Sequence, residues 1–242
     1  MGTPQGGVIS PLLANIYLHA MDRIWTAKYS TLGIMVRYAD DFVVMCRYES
    51  QAKEARRRVG EILAGLGLTL HPEKTRMVDL RHGHEGFIFL GCAIRKKRSI
   101  LRKPRLSFMQ RWPSSKAMKR IRERVHELTD ARQSGANDVK AVITRLNPVL
   151  RGWGNYFRSG NADRKFTQVD AYVYRRLLRW QRRRGGQRAQ RRILFASEQF
   201  HGMGLYMLRG KVSYPTQATT VKTIGKPCAG NPHARFERGN RK

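Results

Sequence analysis

Acidic residues are scarce. The 242-residue chain has 17 Asp and Glu against 48 Lys and Arg, a formal net charge of +31. That excess excludes a charge-balanced surface and points to a polyanionic partner, for which nucleic acid is the default. Cysteine is nearly missing too. Cys46, Cys92 and Cys228 are too few and too widely spaced for a disulfide framework, and fit a reducing cytoplasm. No apolar run approaches the ~18 residues of a membrane span. The first seven residues lack the charged and apolar regions of a signal peptide, and Gly6 stands where a myristoylation site needs Ser or Thr. Zinc ligands are short as well: Cys228 and His233 are one pair, where a structural site wants four. No internal repeat is present.

What is there divides unevenly. Residues 1–100 carry 15 basic and 9 acidic side chains; residues 101–242 carry 33 and 8. A change of role near residue 101 is the simplest account. Hydrophobic residues make up 41% of the chain, enough for a core.

The spacing predicts a helix over 8–25, with Ser10 as cap, Pro11 at its first position and a stripe of Leu12, Leu13, Ile16, Tyr17, Ala20 and Ile24. Residues 34–46 read as a hairpin with Ala39-Asp40-Asp41 near its turn. Ser50 can cap a second helix, with Ala52, Ala55, Val59, Ile62, Leu63 and Leu66 on one face, ended by Gly65 and Gly67. Short strands are expected at 68–71, 76–80 and 87–95, with a turn at Lys96–Arg98. Cys46 and Cys92 read as core. Three amphipathic helices follow. The first starts at Ser114 or Ser115. The second starts at Asn137 or Asp138 and is stopped by Asn147-Pro148. The third spans about 163–184, with Phe166, Val169, Val173, Leu177 and Trp180 on one face and Arg175, Arg176, Arg179, Arg182 and Arg183 on the other. Such helices joined by short loops suggest a bundle. A loose basic tail is expected from about Gly202.

Asp40-Asp41 is the first chemical candidate. Two adjacent carboxylates among apolar strands suit hard divalent cations, which take oxygen ligands. Paired metals ~3.5–4 Å apart can activate a hydroxyl and stabilise leaving pyrophosphate. A bare Asp-Asp pair is more often a solvated turn. This pair is not bare. Tyr38-Ala39-Asp40-Asp41 resembles the catalytic hairpin of reverse transcriptases. The run from Gly2-Thr3-Pro4-Gln5-Gly6-Gly7 to Leu18 resembles the block preceding that hairpin in bacterial group II intron reverse transcriptases. Leu66 to Thr75 is similar to the family's next block, and Phe89-Leu90-Gly91 to its primer-gripping hairpin. Leu146-Asn147-Pro148-Val149-Leu150-Arg151-Gly152-Trp153-Gly154-Asn155-Tyr156-Phe157 resembles the signature of the maturase-specific (thumb) domain, and Phe166, Asp170, Leu177 and Trp180 continue it. Residues 225–236 look like a tail seen in some of these proteins.

The resemblance implies roles. Asp40 would ligate metal, with Asp41 beside it and Tyr38 against the primer end. Gln5 and Gly6 would lie near the templating nucleotide. Lys74 would face leaving phosphates, although a plain solvated lysine is an equal reading. Leu90 and Gly91 would grip the primer. Charge, not the resemblance, speaks for the five arginines of the third helix: with almost no acids nearby they read as RNA contacts rather than a solvated face, and Arg151, interleaved with aromatics, reads likewise. Trp153 and Phe157 read better as core.

The expected fold class is α+β: a partial palm with an antiparallel sheet and helices over 1–101, an all-α thumb/maturase bundle over 111–185, and a basic tail over 186–242. The implied parent activity is RNA-directed DNA synthesis by two-metal Mg²⁺ chemistry, with dNTPs on an RNA template and DNA primer, plus binding of group II intron RNA for splicing. The implied setting is the cytoplasm, without membrane. Palms of this kind need a further carboxylate from a neighbouring strand. Before residue 40 the only acid is Asp22, late in the first helix. The family's first catalytic aspartate lies upstream of the Gly-Thr-Pro-Gln block, where this chain starts. A C-terminal fragment, inactive alone and completed by an upstream fingers/palm fragment, is therefore expected. The alternatives are an RNA-binding maturase module without polymerase activity, or an inactive mobile-element remnant.

Overall fold

The computed structural model describes residues 8–98, 107–130, 138–185 and 196–213. The chain is α+β and forms two compact units that divide between Val78 and Asp79. The structural division precedes the charge shift by some twenty residues, because the second hairpin folds with the helices. Among the described residues, no helix is long and apolar enough to cross a membrane.

The first unit opens with α1 (Ser10–Ile24), which carries Pro11 in its first turn and continues as a π-turn over Trp25–Tyr29. Ile9, not Ser10, is the cap residue, and no side chain caps the helix. The predicted stripe is only partly a core face. Leu18, Met21 and Trp25 are buried against Ala55, Val59, Ile62 and Leu63, whereas Leu12, Leu13, Ile16 and Tyr17 stay exposed. Periodicity reports that a face is apolar; it does not report which of two apolar faces meets the core. The hairpin forms as expected from β1 (Ile34–Tyr38) and β2 (Asp41–Met45), antiparallel with Tyr38 opposite Asp41. Helix α2 (Glu49–Gly65) starts after Tyr48 rather than Ser50, with the Gln51 amide oxygen accepting the Tyr48 N–H at 3.2 Å. Its end is a Schellman cap: Leu68 N–H donates to Leu63 O (2.8 Å), and Gly67 N–H to Ala64 O (2.9 Å). The strands expected at 68–71 and 76–80 do not form.

The second unit contains an antiparallel sheet of β3 (Gly86–Phe89), β4 (Cys92–Arg98) and β5 (Ser107–Pro113), with β4 central. The turn falls at Leu90-Gly91, not at Lys96–Arg98. The basic run remains in β4 because its side chains find partners: Arg95 donates to Gly83 O (2.8 Å), Lys96 to Arg81 O (3.0 Å), and Lys97 lies over the Trp112 ring. Three helices follow: α3 (Ser115–Leu128), α4 (Val139–Phe157) and α5 (Asp163–Gly185). Ser114 caps α3 through its hydroxyl. Their shared core includes Val125, Val142, Leu146, Leu150, Phe166, Val173 and Leu177.

Two further expectations for this unit fail. Helix α4 does not stop at Asn147-Pro148 but runs through it to Phe157. Pro148 withholds one amide donor, yet buried Leu146 and Leu150 on either side hold the helix in the core. Nor are residues 202–213 a loose tail. After α6 (Ala196–Gly202), the chain buries Leu205 and Leu208 in the bundle beside Phe200. Asn147 donates to Gly204 O and accepts from Tyr206 N–H, both at 2.8 Å. Asp170, only 6% exposed, accepts from the N–H groups of Leu208 (3.0 Å) and Arg209 (2.8 Å). Burial pushes the Asp170 pKa up, against those two donors. Gly154 permits the close approach, since a Cβ there would lie 2.5 Å from Leu208 Cδ2.

Candidate functional site

In the first unit, the chemistry converges on the hairpin tip. Tyr38 and Asp41 close a two-residue loop of Ala39 and Asp40. Ala39 takes φ 53°, a left-handed conformation that costs ~1–2 kcal/mol for a residue with a Cβ. Tyr38 is 65% exposed, and Asp40 and Asp41 are exposed too. The donors are hard oxygens, right in kind for Mg²⁺, which keeps several waters and needs only one or two carboxylates. Among the described residues, no group of three His, Cys, Asp or Glu side chains could hold a metal ion.

A brace behind the tip escaped sequence reasoning. Arg37 donates to both Asp22 oxygens at 2.5 to 3.1 Å, to Asn15 Oδ1 at 3.1 Å and to the Ala39 carbonyl at 2.8 Å. The bond to Asp22 raises the Arg37 pKa, so the guanidinium stays charged. Asp22 is thereby engaged by Arg37. The available signal was an arginine inside an apolar strand, with one acid upstream to meet it. Lys74 is exposed in a turn closed by Thr75 N–H to His71 O (3.0 Å) and makes no ion pair among the described residues. Gln5 and Gly6 lie outside the described residues, as do residues 225–236.

In the second unit, Leu90 (φ 48°) and Gly91 (φ 73°) form a tight turn of left-handed residues between β3 and β4. Its carbonyls are held from two sides. Tyr156 Oη donates to Leu90 O (2.9 Å), and Ser114 N–H donates to Gly91 O (2.9 Å). These bonds lock the strained leucine in place. The turn is therefore docked on the aromatic end of α4. There Trp153 packs on Phe157 (4.9 Å) and Phe166 (5.6 Å), as core.

The arginines of α5 divide. Arg175, Arg179, Arg182 and Arg183 are exposed, and none pairs with an acid among the described residues. Arg176 does not belong with them: it is 9% exposed and closes the end of α3. Its Nε donates to Thr129 Oγ1 (2.9 Å) and a terminal nitrogen to His126 O (3.3 Å). A cation satisfying the last carbonyls of a helix is favoured by the helix dipole. Arg176 lies ~100° around the helix from Arg175, and at its level on α5 that direction meets the end of α3. Arg151 is exposed on α4, and its guanidinium lies 5.2 Å from the Tyr206 ring centre. Tyr206, Lys211, Asn147 and Asp170 are further residues that sequence reasoning left unassigned here.

Two family models match the chain, and the first crosses the structural boundary between Val78 and Asp79. Residues 1–94 match the model for reverse transcriptase (RNA-dependent DNA polymerase), and residues 118–195 match the group II intron, maturase-specific domain. The chain is 24% identical to an uncharacterized 91 kDa protein in the cob intron of Schizosaccharomyces pombe, over 72% of this chain and 29% of that protein. It is 32% identical to Protein YkfC of Escherichia coli, over 40% of this chain and 33% of that protein. Over 22 residues it is 77% identical to the group II intron-encoded protein LtrA of Lactococcus lactis, covering 9% of this chain and 4% of that protein. The chain thus spans a third or less of the length of these relatives. It belongs to the group II intron-encoded reverse transcriptase/maturase family.

Proposed function

We propose that this chain is part of an intron-encoded reverse transcriptase/maturase, and that its own activity is RNA binding. The observation that carries this reading is the outer face of α5. Arg175, Arg179, Arg182 and Arg183 are exposed there without acidic partners among the described residues. Such a face neutralises phosphates and releases their counterions, so affinity falls with salt. The RNA proposed is the structured intron itself, bound in the cytoplasm during splicing.

Polymerisation is the proposed activity of the completed enzyme. Asp40 and Asp41 would hold Mg²⁺, which supplies Lewis-acid stabilisation of the phosphoryl oxygens. Tyr38 would support the primer end, Gln5 and Gly6 the templating nucleotide, and Lys74 the dNTP phosphates. The Leu90-Gly91 turn would hold the primer backbone. One Mg²⁺ needs only one or two carboxylates, but the proposed pair of ions needs a third, and Arg37 engages Asp22. A third carboxylate then comes from another segment, carrying fingers and the other half of the palm. Leu12, Leu13, Ile16 and Tyr17 of α1, with Ile34 and Val36 of β1, are exposed apolar residues that such a segment would cover.

The experiment is a salt titration of binding to a group II intron RNA. Replacing Arg175, Arg179 and Arg182 with Gln should reduce the slope of log affinity against log salt by ~0.7–0.9 per lost contact. An unchanged slope in a folded triple variant would remove RNA from this helix.

A further inference from the structure

Three side chains outside the α5 arginine face make a second, unassigned basic site. The segment 203–213 lies against α4 and α5, where Asn147 of α4 and Asp170 of α5 fix its backbone on either side of Tyr206. The Ser213 N–H donates to Arg158 O at 3.0 Å, tying the far end as well. The Tyr206 ring is thus held on a rigid support. Two cations gather on it: the Arg151 guanidinium at 5.2 Å from its centre, and Lys211 Nζ at 5.9 Å. Both residues are exposed, and neither forms an ion pair with a carboxylate among the described residues. Asp170, the acid this segment touches, is buried, and its oxygens accept two backbone N–H groups.

We propose that Arg151, Tyr206 and Lys211 form a clamp for the phosphodiester backbone of RNA, on a surface separate from the α5 arginine face. The physical case has three parts. Both cations lie within 6 Å of one ring centre, so a phosphate that reaches this patch meets two positive charges. The aromatic ring limits the freedom of both long side chains before binding, so less entropy is lost when phosphate arrives. The third part is geometry. At ~100° per residue, Asp170, which anchors the segment, lies roughly 120–180° around α5 from Arg175, Arg179 and Arg182. RNA bound at the clamp therefore does not use the arginine face at the same point, and the two surfaces contribute separately. The clamp rests on the RNA-binding reading above and gives it a second contact.

The test uses the full chain and a fluorescein-labelled single-stranded RNA, followed by anisotropy across a salt series. The Arg151→Gln/Lys211→Gln double variant should lose ~1.4 in slope, which is a fall of about 25-fold in affinity at ~0.1 M salt. Tyr206→Leu should lower affinity a few-fold while leaving most of the slope, because both charges remain. Tyr206→Phe keeps the ring and should bind as wild type, so it separates loss of the ring from loss of folding. If the double variant keeps the wild-type slope while the α5 triple variant loses it, the clamp is wrong and the RNA-binding reading stands. If wild type shows no salt-dependent binding, both readings fail together.

Discussion

Arg175 and Arg176 are neighbours in sequence, and the structure gives them opposite jobs. Arg176→Met keeps most of the apolar stem and removes the guanidinium. The bond to Thr129 Oγ1 at 2.9 Å is well formed; those to His126 O at 3.3 Å and Thr129 O at 3.5 Å are weaker. A hydrogen bond from a charged group contributes ~1.5–3 kcal/mol, and two helix carbonyls are left without this donor. Thr129 keeps its own bond to Val125 O at 2.7 Å, which limits the damage. Relief from holding a cation in a buried site offsets part of the loss. A net destabilisation of ~2 kcal/mol is the expected sum. Arg175→Gln, on the exposed side, should stay within ~0.5 kcal/mol of wild type. Binding should show the reverse pattern. Arg175→Gln should lower the salt slope by ~0.7–0.9, and Arg176→Met should leave it unchanged. Urea unfolding followed by circular dichroism, paired with RNA titration, reads both axes. An Arg176→Met protein of wild-type stability with a reduced slope would refute the assignment.

Four further outcomes follow from particular contacts. Gly154→Ala should destabilise the second unit by ~1–3 kcal/mol through overpacking, and Leu208→Ala in the same chain should return part of that loss in a double-mutant cycle; additive effects would show that the two do not meet. Arg37→Lys keeps the charge but not the fork, so urea unfolding should report a loss of ~1 kcal/mol, and an unchanged midpoint would remove the brace. Asp170 has a folded pKa raised above 3.8. Its contribution is present below that ordinary value and is lost as pH rises through the raised one, so Asp170→Asn should flatten the difference in stability between acid and neutral pH. An upstream fingers/palm fragment added to the chain should yield primer extension that Asp40→Ala abolishes, and retained extension would defeat the metal assignment.

Much of the fold was legible because local chemistry agreed with the outcome. Apolar, β-rich runs on both sides of the polar Ala39-Asp40-Asp41 centre pointed to the hairpin, and a strict apolar stripe to α5. The misses share a cause. Whether Arg176 faces solvent depends on the end of α3, and whether Pro148 ends α4 depends on the core around it. The stretch 203–213 looks loose until Asn147 and Asp170 are seen to hold its backbone. Each is settled by contacts more than thirty residues away in sequence, which periodicity does not carry. The hairpin carboxylates were found through their motif, whereas the Arg37 brace needed coordinates.

The central claim is that the helical unit grips RNA through named basic surfaces. Photo-crosslinking of the full chain to a 4-thiouridine-substituted group II intron RNA, with crosslinked peptides located by mass spectrometry, tests it most directly. Adducts are expected on peptides carrying Arg175, Arg179, Arg182 and Arg183. Adducts confined to the first unit, with the α5 peptides unmodified, would contradict it.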